Sequence, residues 1–141
     1  MKIVLVTGGF DPLHSGHIEY FKAAKQLGDE LHVGLNSDEW LTRKKGRPFM
    51  SFEDRASIIN ELSVVDKVIS FDDSDNSACG AIYKTLATHS NIKLVFANGG
   101  DRATSEVPET PVCKKYNIKM VDGLGDKIRS SSSLTGLNEL S

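Results

Sequence analysis

Two histidines three residues apart, His14 and His17, close the segment Gly8-Gly9-Phe10-Asp11-Pro12-Leu13-His14-Ser15-Gly16-His17. At the start of a helix, imidazoles with that spacing have three uses. They can ligate zinc, cap and pack the helix, or donate hydrogen bonds to an anion held over the helix N-terminus. There, N–H groups outside the helical ladder and the positive end of the macrodipole attract negative charge. Zinc asks for a third and usually a fourth protein ligand, and the chain supplies no tidy Cys/His partner. The glycines Gly8, Gly9 and Gly16 and the proline let the backbone bend sharply and approach a ligand closely, and Ser15 is the expected helix cap. This corner reads as a holder of a nucleotide's phosphates.

The elements around the segment fit that reading. Residues 3–6 form a continuous apolar run that suits a strand buried on both faces, and it leads straight into the glycine turn. Ile18, Phe21, Ala24 and Leu27 then recur at helical spacing, with Gly28 in the place of a C-cap. Residues 30–35 read as a second strand, which completes a βαβ unit. A short helix is expected over 38–42, followed by a mobile basic loop, Arg43-Lys44-Lys45-Gly46-Arg47-Pro48. Ser51, with Asp54 three residues on, opens a helix whose inner face is Ile58, Ile59 and Leu62.

A third strand over 64–71, an acidic turn over 72–76 and a helix over 78–89 with Ile82, Tyr83 and Leu86 inward come next. Residues 92–97 form a fourth strand, and Asn98-Gly99-Gly100-Asp101-Arg102 follows at its C-terminal end, where open α/β sheets place ligands. A short helix within 106–116, a fifth strand over 118–121, and a terminal helix after Arg129-Ser130-Ser131-Ser132-Ser133 complete the pattern. Alternating strands and helices imply an α/β fold with a doubly wound parallel sheet.

The 141 residues suit a single domain, and 39% hydrophobic with 26% charged residues describes an ordinary globular chain. A net charge of −2 offers no global attraction to nucleic acid, so an anion site has to be built from local cations. Cys79 and Cys113 lack a metal-like or redox spacing, which points to a reducing compartment. No apolar run reaches the roughly eighteen residues a membrane span requires, and the chain enters its first strand without a leader, so a cytoplasmic protein is expected.

Several of these segments together resemble the HxGH nucleotidyltransferase superfamily, and within it the small cytidylyltransferases that include glycerol-3-phosphate cytidylyltransferase. The resemblance rests on Gly8 to His17, Lys25-Gln26-Leu27-Gly28-Asp29, Asn36-Ser37-Asp38-Glu39, the basic loop, Phe52-Glu53-Asp54-Arg55, Val65-Asp66-Lys67-Val68-Ile69, Gly100-Asp101 and the late serines. It covers nearly the whole chain. Lys45-Gly46-Arg47-Pro48 and Gly99-Gly100-Asp101 also look like the adenylyltransferase domain that activates heptose phosphates.

What the resemblance implies is a Rossmann-like nucleotidyltransferase. It would move a nucleoside monophosphate from CTP to a phosphorylated small alcohol such as glycerol 3-phosphate, or from ATP to a sugar phosphate such as heptose 1-phosphate, and release pyrophosphate. It implies His14, His17, Lys44 and Arg55 as catalytic residues. Gly8, Gly9, Phe10, Asp11, Gly16, Lys45, Asp101, Arg102, Ser130, Ser131 and Ser132 would bind the nucleotide. A Mg²⁺ ion is expected to be carried mainly by the nucleotide and water rather than by a protein cage, and family members are commonly homodimers.

The sequence departs from the cytidylyltransferase pattern at the arginine that usually precedes the serines, where Lys127 or Arg129 stands in. The absence of GxGxxG after the first strand argues against a nicotinamide-dependent oxidoreductase. A nucleotide-binding module without turnover is the alternative to an enzyme.

Overall fold

A computed structural model describes residues 1–98, 108–122 and 124. Asp101, Arg102, Lys127, Arg129, Ser130, Ser131, Ser132 and the expected terminal helix lie outside these described residues. In chain order the elements are β1 (Lys2–Gly8), α1 (Ser15–Lys25), β2 (Glu30–Leu35), α2 (Asp38–Lys45), α3 (Phe52–Asn60), β3 (Lys67–Ser70), α4 (Cys79–Thr88), β4 (Lys93–Ala97), α5 (Glu109–Lys115) and β5 (Lys119–Val121). The five strands pair in parallel in the order β3-β2-β1-β4-β5. The Rossmann-like doubly wound sheet expected from the alternating pattern is therefore present.

Strand residues alternate between the two faces, and the core divides accordingly. Val4, Val6, Leu31, Val33 and Leu35 pack under Tyr20, Phe21 and Ala24 of α1 and Ile59 of α3. Ile3, Leu5, Ile69, Leu94 and Phe96 pack under Ala81 and Ile82 of α4 and Cys113 of α5. Winding out from β1 in both directions leaves a switch point between β1 and β4. At such points the crossover loops part and a ligand fits outside the carboxyl ends of the strands.

The structure corrects several local expectations. α2 continues to Lys45, so Arg43, Lys44 and Lys45 form its last turn rather than a loop, and Gly46 ends it with φ 96°. Arg and Lys are good helix formers and are favoured at the negative end of the helix dipole, while the left-handed C-cap selects glycine. The cap of α1 is His14, not Ser15, and α1 ends at Gln26 rather than at Gly28. On α3 the inward positions are Arg55 and Ile59, with Ile58 43% exposed. On α4 they are Ala81, Ile82 and Thr85, and Tyr83 faces out. β3 starts only at Lys67, the preceding valines being packed against the core as part of a turn.

Gly80, in the first turn of α4, lies against the backbone of the preceding loop. A Cβ there would stand 2.6 Å from the carbonyl oxygen of Asp72. In an open helix, exchanging glycine for alanine would stabilise by about 1 kcal/mol. Here the contact is with backbone that cannot swing aside, and overpacking of that kind costs typically about 1–3 kcal/mol. Gly80→Ala should therefore lower the thermal midpoint by several degrees, measured by circular dichroism; a raised midpoint would show that the loop yields.

Candidate functional site

The turn after β1 is built from inside. Gly9 is needed less for a ligand than for packing, because a Cβ there would lie 2.9 Å from Leu41 Cδ2 and 3.5 Å from the ring of Trp40, both on α2. The left-handed residue of the turn is Phe10, with φ 51°, and not one of the glycines. Its buried ring makes edge contacts with His17 at 5.0 Å and Phe21 at 5.1 Å between centroids. An aromatic anchor thus fixes where α1 begins and where the His17 ring lies.

The two histidines close the helix N-terminus on themselves. The Gly16 N–H donates to His14 Nδ1 at 3.0 Å, and the His14 N–H donates to His17 Nδ1 at 3.2 Å. The rings stack with centroids 3.9 Å apart and 28° between planes. A nitrogen that accepts a hydrogen bond carries no proton, so both rings are held as the neutral tautomer with the proton on Nε2. Burial, and after it the neighbouring His14, lower the pKa of His17 from 6.5 to about 4. At neutral pH His17 is therefore a neutral ring rather than an imidazolium. With both Nδ1 atoms engaged, the pair has less to offer a metal, and among the described residues no group of three or more His, Cys, Asp or Glu is arranged to hold one.

Asp11 is buried, and its carboxylate accepts from the N–H groups of Phe49 and Met50 at 2.7 and 2.8 Å. Lys45 reaches the same carboxylate at 3.0 Å and donates to the Asp11 carbonyl at 2.7 Å. Expected as nucleotide contacts, these two residues bind the segment after α2 to the turn after β1. Lys44, one turn along α2 from Trp40, is exposed with its Nζ 5.1 Å from the centre of the Trp40 ring.

Arg55 departs furthest from expectation. Alone it reads as a surface residue, and the resemblance implies a catalytic one, yet it is 1% exposed. Its guanidinium donates to the carbonyls of Met50 at 3.0 Å, Gly9 at 3.0 Å and Asn36 at 2.8 Å, and to the Asp38 carboxylate at 2.7 Å. With these donors turned onto protein groups, Arg55 holds the surrounding segments together.

Asp73, read from sequence only as part of an acidic turn, is a second missed organiser. It accepts from Asn36 Nδ2 at 3.0 Å and from Ser37 N and Oγ, both at 2.8 Å. Burial works against its charge, but these hydrogen bonds and nearby Arg43 outweigh it and hold the carboxyl below its usual range. Arg43 donates to the Asp73 carbonyl at 2.8 Å and to Asn76 Oδ1 at 3.1 Å. The only sequence signal was an acid placed to meet the cap of α2.

With this geometry in hand, the comparisons place the chain. The cytidylyltransferase-like family model matches residues 5–122, and the chain belongs to that family. Among its relatives is the "Bifunctional protein HldE" of Wolinella succinogenes, 38% identical over 92% of this chain and 26% of that protein. The protein of the same name from Campylobacter concisus is 49% identical over 86% of this chain and 24% of its own length. The chain thus spans about a quarter of the length of these curated relatives. A solved lipopolysaccharide core biosynthesis protein from Thermoplasma volcanium superposes with a TM-score of 0.65 and 30% identity, over 86% of this chain and 95% of that one. Among the described residues no helix is long and apolar enough to cross a membrane.

Two outcomes follow for the site. Arg55→Met removes the buried cation and leaves three carbonyls and Asp38 without their donor. Breaking a buried pair costs roughly 3–5 kcal/mol, and the low end applies because the Asp38 side chain remains 41% exposed. Urea denaturation reads this directly, and a loss under about 1 kcal/mol would return Arg55 to a ligand-facing role.

His17 should titrate near 4 in the ligand-free protein. An unfolded ring titrates near 6.5, so acid protonates the unfolded chain first. The stability contributed by the neutral ring is complete above that value and is lost as pH falls from 6.5 to about 4. Adding a triphosphate should raise the His17 pKa, because an adjacent anion favours the charged ring; an unmoved titration, followed by NMR, would place the phosphates elsewhere.

Proposed function

We propose that this chain is an adenylyltransferase domain that transfers AMP from ATP to a sugar phosphate, of which heptose 1-phosphate is the leading case, and releases pyrophosphate. The observation that carries the reading is the pair of neutral imidazoles stacked at the N-terminus of α1, at the carboxyl edge of the sheet. Family membership supports nucleotidyl transfer, and the relatives bear on the substrate. The first expectation, CTP with glycerol 3-phosphate, is less well supported than its alternative. The relatives include bifunctional proteins named HldE and a lipopolysaccharide core biosynthesis protein, and the Lys45-Gly46-Arg47-Pro48 resemblance to heptose-phosphate activation agrees with them.

The chemistry follows from the reactants. An oxygen of the acceptor phosphate attacks the α-phosphorus of ATP, forming a P–O bond while the bond to the bridging oxygen of the β-phosphate breaks. The nucleophile is already an anion, so the site has no need of a strong base. Its work is to align the two phosphates and to stabilise charge on the α-phosphoryl oxygens and the leaving pyrophosphate. Neutral Nε2–H donors are suited to that work, because the developing charge polarises the ring without the ring first having to be protonated. His17 is braced by Phe10 and by its own Nδ1 hydrogen bond, so it donates from a fixed position.

The nucleotide would bring Mg²⁺ with it, whose chemistry would be to offset part of the phosphate charge. Asp11 is already engaged with two N–H groups and Lys45, which fits an ion held by nucleotide and water rather than by a carboxylate cage.

Pyrophosphate release from ATP, CTP, GTP and UTP against heptose 1-phosphate, glycerol 3-phosphate and phosphocholine tests the reading. Turnover is expected with ATP and the sugar phosphate. Turnover only with CTP and glycerol 3-phosphate would restore the first expectation, and none with any pair would leave a nucleotide-binding module. His17→Ala should lower kcat by about a hundredfold or more, the scale of losing one preorganised donor, with a smaller effect on ATP binding.

A further inference from the structure

The chain's single tryptophan has no part in the transfer steps derived above. Trp40 is half-buried on α2 and lines a cavity of about 280 Å³ together with Arg43, Lys44 and Asn76. The wall is rigid. Arg43 is tied to the Asp73 carbonyl and to Asn76, and Trp40 lies against the position of Gly9 in the turn after β1. The rim cation is not tied: among the described residues Lys44 has no carboxylate partner, and its Nζ rests 5.1 Å above the centre of the tryptophan ring. The cavity is smaller than the roughly 300–1,000 Å³ of sites that take drug-sized ligands, so it suits something smaller than a nucleotide.

Topology separates this cavity from the nucleotide. The switch point lies between β1 and β4, whereas α2 follows β2 and the cavity is completed by Asn76 after β3, on the other side of β1. A triphosphate laid from the α1 N-terminus toward the switch point leaves the β2 side for the second reactant. An aromatic face beside one unpaired cation is complementary to a molecule with a C–H-rich face at one end and a phosphate at the other.

We propose that Trp40 is a specificity-determining residue for the acceptor: its ring carries the C–H face of a sugar while Lys44 leaves the ring to pair with the sugar's phosphate. A cation resting on an exposed ring is weakly held, and a charge-assisted hydrogen bond to phosphate is stronger, so the exchange runs toward the bound acceptor. The ring face uncovered by Lys44 is the face the sugar takes. This assignment rests on the sugar-phosphate reading above, and it makes Trp40 the residue that separates a sugar phosphate from a bare or short-chain phosphate.

Because Trp40 is the only tryptophan, the wild-type protein reports its own pocket. Heptose 1-phosphate should change the tryptophan emission saturably, with inorganic phosphate and ATP giving little change, and Lys44→Ala should abolish the response. A response to ATP in place of heptose 1-phosphate, or none to either, overturns the proposal even if pyrophosphate release is normal. In steady-state kinetics Trp40→Ala should raise the KM for heptose 1-phosphate about tenfold or more, leave the KM for ATP within about twofold, and be rescued to within about threefold by Trp40→Phe.

Equal increases in both KM values, or no rescue by phenylalanine, would mark Trp40 as structural and refute the assignment. If the wild type releases no pyrophosphate with any pair, the transfer reading fails separately. The emission titration then still decides whether the pocket takes a sugar phosphate.

Discussion

The interaction on which the rest of the site depends is the buried guanidinium of Arg55. It joins three chain segments through one group: the turn after β1 through Gly9, the end of β2 through Asn36, and the segment before α3 through Met50. Its charge is balanced by Asp38 in the first turn of α2. Withdrawing a cation from water costs several kcal/mol, and the pair stays favourable only when every donor is matched. Arg55 places four N–H donors in this way, three of them on carbonyls that would themselves be costly to bury unpaired. The consequence is geometric: α2, and with it Trp40 and Lys44, is held in fixed relation to the turn that carries Phe10 and leads to the histidines.

Asp11 extends the same frame with the opposite sign. Its carboxylate takes two backbone N–H groups and Lys45, so the chain after α2 is tied to the turn after β1 by an acid as well as by a base. Among the described residues, both charged side chains beside the histidine corner, Asp11 and Lys45, are thereby paired. His17 is kept neutral because its Nδ1 is an acceptor and its ring is buried against Phe10. Neutrality matters to the chemistry. A permanently charged pair would bind triphosphate and pyrophosphate alike, whereas a polarisable neutral donor favours the state in which charge is developing.

The parts of this arrangement that could be read in the sequence are those set by local rules. β2 runs over the six residues marked by its apolar pattern, and Ser51 caps α3 by accepting from the Asp54 N–H. The parallel sheet followed from alternation of elements. The histidine corner was found by residue type and spacing, although the cap proved to be His14, because an imidazole Nδ1 can replace a hydroxyl as acceptor for the Gly16 N–H. What could not be read are positions where a polar group goes inside. Periodicity assigns the inner face of α3 to Ile58, Ile59 and Leu62, of which Ile59 and Leu62 do pack inward, but the partners that bury Arg55 come from residues 9, 36, 38 and 50, and no local pattern records their meeting. The last turn of α2 was missed because glycine and proline follow closely on a run of like charges, which reads as a loop.

That last difference changes how the basic residues can act. On a flexible loop, Lys44 and Lys45 would be interchangeable and would have to be ordered at a cost in entropy each time substrate binds. On a helix their side chains diverge. Lys45 turns inward to Asp11, while Lys44 lies one turn from Trp40 on the exposed side. Three cations at the C-terminal end of α2 are stabilised by the negative end of its dipole, which offsets their mutual repulsion before any phosphate arrives. In the proposed reaction an incoming acceptor would meet a cation already positioned, and only the side chain of Lys44, not the backbone, would have to move. In a reaction between two anions, that preorganisation is where the protein can contribute most, because repulsion between the reactants is the barrier that solvent leaves in place.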